Sequence, residues 1–134
     1  MEVVRRAIAA LNERDIDRYL ACCTEAVQLQ TPWTSVEGIY EGPDGIRRFF
    51  SNLGDTMPDF RLEIERLEAV GTTRVLALLL VHATARASGI AAGEAAGGFP
   101  SRTANIYDLA HGKIERIRIF LDRTEALDVA GQRG

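Results

Sequence analysis

The sequence predicts an α+β fold in which helices come first and strands follow, and three observations carry that reading. Apolar residues recur at helical spacing in three segments up to Leu53, whereas from Met57-Pro58-Asp59 onward the pattern is that of strands. A continuous apolar run, Val75–Val81, lies between Gly71 and Gly89 and reads as a strand buried on both faces. Residues 103–122, TANIYDLAHGKIERIRIFLD, read as a β-hairpin turning at His111-Gly112. Helices grouped ahead of consecutive strands favour a mostly antiparallel sheet over repeated βαβ units.

Val3, Val4, Ala7, Ile8 and Leu11 give an amphipathic helix over residues 2–13. Asp15 is placed to cap a second, short helix whose Ile16, Tyr19 and Leu20 turn inward. Thr24 starts a turn into Val27–Thr31, which alternates as a short strand and stops at Pro32. Gly42-Pro43-Asp44-Gly45 opens a third helix, with proline where the first turn tolerates it, and Ile46, Phe49, Phe50 and Leu53 form its inner stripe. Phe60, Leu62 and Ile64 alternate with Arg61, Glu63 and Glu65, a strand with one wet face. Gly71-Thr72-Thr73 then turns the chain into a long strand, Arg74–Ala87. Residues 89–100, rich in Gly and Ala and without periodicity, read as a mobile loop joining two long strands. The hairpin follows, and a final helix is expected over Arg123–Ala130.

A two-residue hairpin loop pairs Leu109 with Ile114, Tyr107 with Arg116, Asn105 with Arg118 and Thr103 with Phe120. Directly opposed residues share a face. Thr103, Asn105, Tyr107, Arg116, Arg118, Phe120 and Asp122 are therefore expected on one polar, aromatic face. Ala104, Ile106, Ile117, Ile119 and Leu121 are expected on a greasy one. Three helices cover one face of a sheet, so the greasy face calls for a second cover. A second copy of the sheet is the simplest supplier, which predicts a two-fold homodimer through the outer sheet face.

At 134 residues and 46% apolar content the chain reads as one domain with a single core. A net charge of −3, with basic residues scattered, argues against a nucleic-acid partner. No run approaches the roughly 18 apolar residues of a membrane span, and the first fifteen residues do not read as a signal peptide. Cys22 and Cys23 are neighbours, badly placed to bridge each other, and read as free thiols of a reducing, cytoplasmic compartment. No metal set is visible, since His82 and His111 are far apart and the cysteines lack further ligands. The glycine-rich segment 93–98 lacks the Lys and the strand–helix context of a phosphate loop. No cofactor is expected.

The layout resembles the nuclear-transport-factor-2-like superfamily of cone-shaped α+β domains, in which helices pack on a curved, mostly antiparallel sheet. Within it the chain is most similar to the SnoaL-like polyketide cyclase branch. The matching phrases are ALNERDIDRYLACCTEAV, YEGPDGIRRFF and YDLAHGKIERIRIFLD, in that order, and together they cover nearly the whole chain. Such a scaffold hosts isomerases, cyclases, dehydratases, epoxide hydrolases and binders. The ketosteroid isomerase relatives carry a catalytic Asp just before the first-strand proline, a position matched here by Thr31. Their oxyanion site uses a Tyr and an Asp, at positions resembling Ala7 and Asn105. The resemblance therefore implies that this chain is not an isomerase of that type. The SnoaL-type cyclases carry a proton-transferring acid on the last strand, which Asp122 resembles.

The candidate catalytic residues are Asp122 and His82. Asp122 is either a general acid or base in an apolar cone mouth or the cap of the final helix. His82, where an apolar strand turns polar, is either a base or a hydrogen-bonded histidine at the sheet end. Asn105 and Tyr107 are candidates to polarise a carbonyl, and Arg118 to hold a carboxylate or enolate. Trp33, Tyr40, Phe49 and Phe120 are candidates to shape the cavity, with core closure the alternative for the first two. The expected function is a cofactor-independent cyclase- or isomerase-type enzyme acting by general acid/base chemistry on a small apolar or aromatic, polyketide-like carbonyl compound. The alternative is a non-catalytic ligand-binding or interaction module of the same fold.

Overall fold

The computed structural model describes residues 1–31, 39–57, 59–82 and 102–131. The order is α1 (Glu2–Glu13), α2 (Ile16–Ala21), β1 (Cys23–Gln30), β2 (Tyr40–Glu41), α3 (Gly42–Thr56), β3 (Arg61–Val70), β4 (Arg74–His82), β5 (Arg102–Ala110), β6 (Lys113–Phe120) and α4 (Arg123–Ala130). The strands form one sheet in the order β2-β1-β6-β5-β4-β3. Every pairing is antiparallel except β1 with β6, which run parallel.

Local chemistry explains the boundaries. Helix α1 ends on Arg14 in the left-handed region (φ 57°), with the Arg14 and Asp15 amides closing onto Leu11 O and Ala10 O. Its guanidinium donates to Leu11 O and, across the fold, to Phe60 O, both at 2.7 Å. Asp15 caps α2 by accepting from the Arg18 amide at 3.1 Å. Proline sits in the first turn of α3. At the hairpin tip both His111 (φ 54°) and Gly112 (φ 77°) are left-handed, the pattern that matches the twist of the flanking strands.

The three N-terminal helices pack on the concave face of the sheet. Val4, Ala7, Ile8, Leu11, Ile46 and Phe50 meet Val27, Leu29, Val75, Ala77, Leu79 and Ile117 there, and all are buried. The opposite face has its own smaller core, in which Ala126 and Ala130 of α4 cover Leu76, Ala104 and Ile106. Part of the greasy outer face is thus covered by the chain itself.

Three expectations about strands are corrected. Strand β1 begins at Cys23 and not after a turn at Thr24, because Cys23 pairs with Ile114 ahead of a register shift that leaves Glu25 and Ala26 exposed together. Strand β3 continues past Glu65 to Val70. The third correction concerns the hairpin. Leu109 faces Ile114, but Asp108 then faces Arg116, leaving Glu115 as an extra residue on β6. A one-residue insertion moves all that follows to the other face. Asn105 consequently pairs with Ile119 and Tyr107 with Ile117, while Arg118 and Phe120 pair with Ile106 and Ala104. The expected polar face is split between the two sides of the sheet.

Candidate functional site

Between the helices and the concave face lies a largely apolar cavity of about 40 Å³. Leu11 of α1, Tyr19 of α2 and Phe49 of α3 form its roof, with Phe60 and Leu62 at the start of β3. The hairpin supplies the floor: Thr103, Asn105 and Tyr107 from β5, Ile117 and Ile119 from β6. Residues i and i+2 of a strand share a face, so Asn105 and Tyr107 stand side by side. Asn105 Nδ2 donates to Tyr107 Oη at 3.0 Å, and both residues are buried.

This pair joins the Thr103 and Tyr19 side chains as the polar groups of the cavity, and it is the one bound together by a hydrogen bond. The Tyr107 hydroxyl accepts from Asn105 and still has its own proton to donate, and among the described residues no acceptor takes it. Burial pushes the Tyr107 phenol up to about 12, against the pull of the Asn105 hydrogen bond and with a further push from Cys23. Tyr107 is therefore a neutral hydrogen-bond donor at physiological pH. Tyr19 is held well above its ordinary range, first by burial, then by Tyr107 and the two thiols. Burial also lifts Cys23 to about 12, with Cys22 adding and Lys113 opposing. Both cysteines are free and buried.

The other sequence candidates lie elsewhere. His82 is exposed at the end of β4 on the outer face, with Nε2 3.0 Å from Glu63 Oε1. Asp122 is exposed and caps α4, its Oδ1 accepting from the amides of Thr124 (2.8 Å) and Glu125 (3.4 Å). Tyr40 is 2% exposed, packs edge-on against Phe49 at 5.7 Å, and accepts from Asn52 Nδ2 at 3.0 Å. Its place is in the core behind the cavity rather than at a rim. Trp33 and the 89–100 loop lie outside the described residues.

Arg118 and Phe120 follow the shifted register to the outer face. Phe120 joins the small core under α4. Arg118 reaches Asp108 at 3.2 Å, a carboxylate that also takes Arg74 at 2.7 Å and Arg116 at 3.5 Å. Burial lowers the Arg118 pKa, Arg116 lowers it further and Asp108 opposes both. Of the candidates, the structure brings together Phe49, Asn105 and Tyr107. Thr103, Phe60 and Leu62 line the same cavity and were not singled out by sequence. The signal for the register was nevertheless present: apolar residues at 114, 117 and 119 share a face only if one residue between 114 and 117 is extra.

The arrangement can enclose apolar groups and donate one hydrogen bond to an oxygen. Among the described residues no carboxylate or imidazole lines this cavity, and no group of His, Cys, Asp or Glu is placed to hold a metal ion. No helix among them is long and apolar enough to cross a membrane.

A curved sheet with helices on its concave face, closing on an apolar cavity, defines the NTF2-like class of α+β cones. Within that class the chain belongs to the SnoaL-like domain family, whose model matches residues 4–117. Comparison with curated proteins finds no match. Among solved structures it is similar to an NTF2-like protein of unknown function from Burkholderia pseudomallei (TM-score 0.77, 19% identity, covering 98% of this chain and 97% of that one). A second is a putative polyketide cyclase from Sinorhizobium meliloti (0.69, 13%, 89% and 94%). A third is TerC, co-crystallised with polyporic acid (0.76, 18%, 98% and 97%).

Proposed function

We propose that the chain binds a small apolar or aromatic carbonyl compound in the concave cavity, with the Tyr107 hydroxyl donating to the carbonyl oxygen and Asn105 holding the phenol. The observation that carries this reading is the buried, hydrogen-bonded Asn105–Tyr107 pair in a largely apolar cavity. A neutral phenol in a dry site stabilises charge developing on a carbonyl oxygen, which suits cofactor-independent cyclase or isomerase chemistry of the polyketide type. The likeness to a putative polyketide cyclase supports that finer reading. At about 40 Å³ the cavity is far below the roughly 300–1,000 Å³ typical of ligand pockets, so entry requires lining side chains to move apart. A second reading, a non-catalytic binding module, is favoured by the lack of a carboxylate or imidazole among the described lining residues. Homodimer formation through the outer-face residues that α4 leaves half-buried, Leu78 and Leu80, belongs to the same proposal.

The test is titration with acetophenone labelled with ¹³C at the carbonyl, followed by NMR. Donation from Tyr107 moves the carbonyl resonance downfield, and Tyr107→Phe abolishes that shift and weakens binding about 3- to 10-fold, the value of one hydrogen bond. An unchanged resonance on binding, or full affinity in Tyr107→Phe, overturns the proposal. Proton exchange at the ketone's methyl group, faster with protein than without, separates the enzyme from the binder.

A further inference from the structure

A single carbonyl contact with Tyr107 leaves a second phenol of the cavity idle. Tyr19 belongs to the α2 roof, across from the β5 floor that carries Asn105 and Tyr107. The residue is only 3% exposed, and its ring is fixed edge-on to Phe50 at 5.1 Å. Among the described residues its hydroxyl has no hydrogen-bond partner. Nor is that hydroxyl sealed in packing, since the sealed, unpartnered side-chain atoms belong to Thr24, Thr31, Arg116 and Arg118. An open hydroxyl on a buried residue faces the space that the residue lines, and that space is the cavity. Buried polar groups are nearly always satisfied, so this one is free for whatever fills the cavity.

The two phenols are neighbours. After burial, Tyr107 is the largest influence raising the Tyr19 pKa, ahead of both thiols, which puts the two groups within electrostatic reach. No hydrogen bond joins them, so neither consumes the other's proton. Thr103, the other hydroxyl of the cavity, stands four residues from Tyr107 along β5, about 13 Å away at the rise of a strand. The second donor close to an oxygen held by Tyr107 is therefore Tyr19 and not Thr103. Both phenols stay protonated at physiological pH, Tyr107 with its pKa pushed up to about 12 and Tyr19 held well above its ordinary range. Two neutral donors on facing walls match a ligand with two acceptor oxygens close together.

We infer that the cavity selects a β-dicarbonyl compound, one oxygen accepting from Tyr107 and the other from Tyr19. The inference rests on the carbonyl-binding reading above and adds a second oxygen to it. Phe49 and Phe60 in the lining take the hydrocarbon part.

The experiment is a calorimetric titration with benzoylacetone and butyrophenone, which share one carbon skeleton and differ in the oxygen beyond the aryl ketone. The readout is the ratio of the two affinities. In Tyr19→Phe the preference for benzoylacetone is expected to fall about 3- to 10-fold, the value of one hydrogen bond, with butyrophenone unchanged. Tyr19→Phe keeps the ring and removes a hydroxyl without a partner, so Tm is not expected to fall. Thr103→Val is expected to leave the ratio as it is, and Tyr107→Phe to weaken both ketones. An unchanged ratio in Tyr19→Phe, the same fall in Thr103→Val, or binding of butyrophenone alone overturns this inference, while the single-carbonyl reading stands as long as Tyr107→Phe weakens butyrophenone. If neither ketone binds, or Tyr107→Phe leaves butyrophenone unaffected, the carbonyl-binding reading fails and this inference falls with it.

Discussion

Replacing Tyr107 by Phe isolates the polar pair of the cavity. The ring stays in place, but Asn105 Nδ2 loses its acceptor inside a residue only 5% exposed. Leaving one buried donor unsatisfied costs about 1–3 kcal/mol, and for a chain of this size each kcal/mol lowers Tm by about 3–5 °C. Replacing both partners by apolar groups, Asn105→Leu with Tyr107→Phe, is expected to recover most of that loss, giving a clear coupling in a double-mutant cycle. Urea unfolding read as midpoint and slope is the assay, since an unchanged slope certifies that stability itself moved. Alkaline pH supplies a second signature. The phenol titrates near 10 when unfolded and at about 12 when folded. Below pH 10 it is protonated in both states and has no effect. Between pH 10 and 12 the unfolded chain sheds a proton that the folded chain keeps, so stability falls as pH rises, by up to about 3 kcal/mol. Tyr107→Phe removes that part of the fall and leaves the parts due to Tyr19 and Cys23. A variant as stable as the parent at pH 7, with the same alkaline fall, would refute the hydrogen-bond geometry argued for this wall.

Two further outcomes follow from the same structure. Asp122→Ala removes the cap of α4 and is expected to lower stability by about 1 kcal/mol, whereas Asp122→Asn keeps it, because asparagine caps as well as aspartate; thermal melts of the pair read this. A tenfold change of ketone affinity in Asp122→Asn at unchanged Tm would mean that Asp122 does more than cap. Asn12 clamps the start of β3, donating to Leu62 O and accepting from the Leu62 amide, both at 2.8 Å. Asn12→Ala is expected to cost about 1–3 kcal/mol through the orphaned Leu62 backbone, and hydrogen exchange at the Leu62 amide should quicken measurably.

Much of the fold was legible because its elements announce themselves locally. The stripe Val4-Ala7-Ile8-Leu11, the Asp15 cap, the Gly-Pro opening of α3 and the left-handed tip at His111-Gly112 each follow from short-range chemistry. The chain's register across the sheet was harder to read. Both β3 and β6 carry an extra residue within the same tripeptide, Ile64-Glu65-Arg66 and Ile114-Glu115-Arg116. Strict alternation fails at each, and counting outward from the turn sends Arg118 and Phe120 to the wrong side. The cavity pair Asn105 and Tyr107 was found because β5 alternates without interruption. Asp122 and His82 were ambiguous for a different reason. A carboxylate before a helix and an imidazole at a strand end have the same sequence signature whether they cap and pair or catalyse. Only three-dimensional placement distinguishes these roles, and here it shows a cap and a Glu63 contact.

The parallel pairing of β1 with β6 has a consequence for how the protein comes into being. Leu29 meets Tyr40 of β2 early, but its partner on the inner side of the sheet, Ile117, arrives only after α3 and four further strands have been laid down. At synthesis rates of about 5–20 residues per second, the inner edge of β1 waits several seconds for its strand partner. Loop-closure entropy must be overcome before that distant contact returns any stabilisation. The β3–β4 hairpin can form earlier, but β1 cannot be seated until β6 arrives, so the arrival of the last strand sets the moment at which this chain stops being vulnerable.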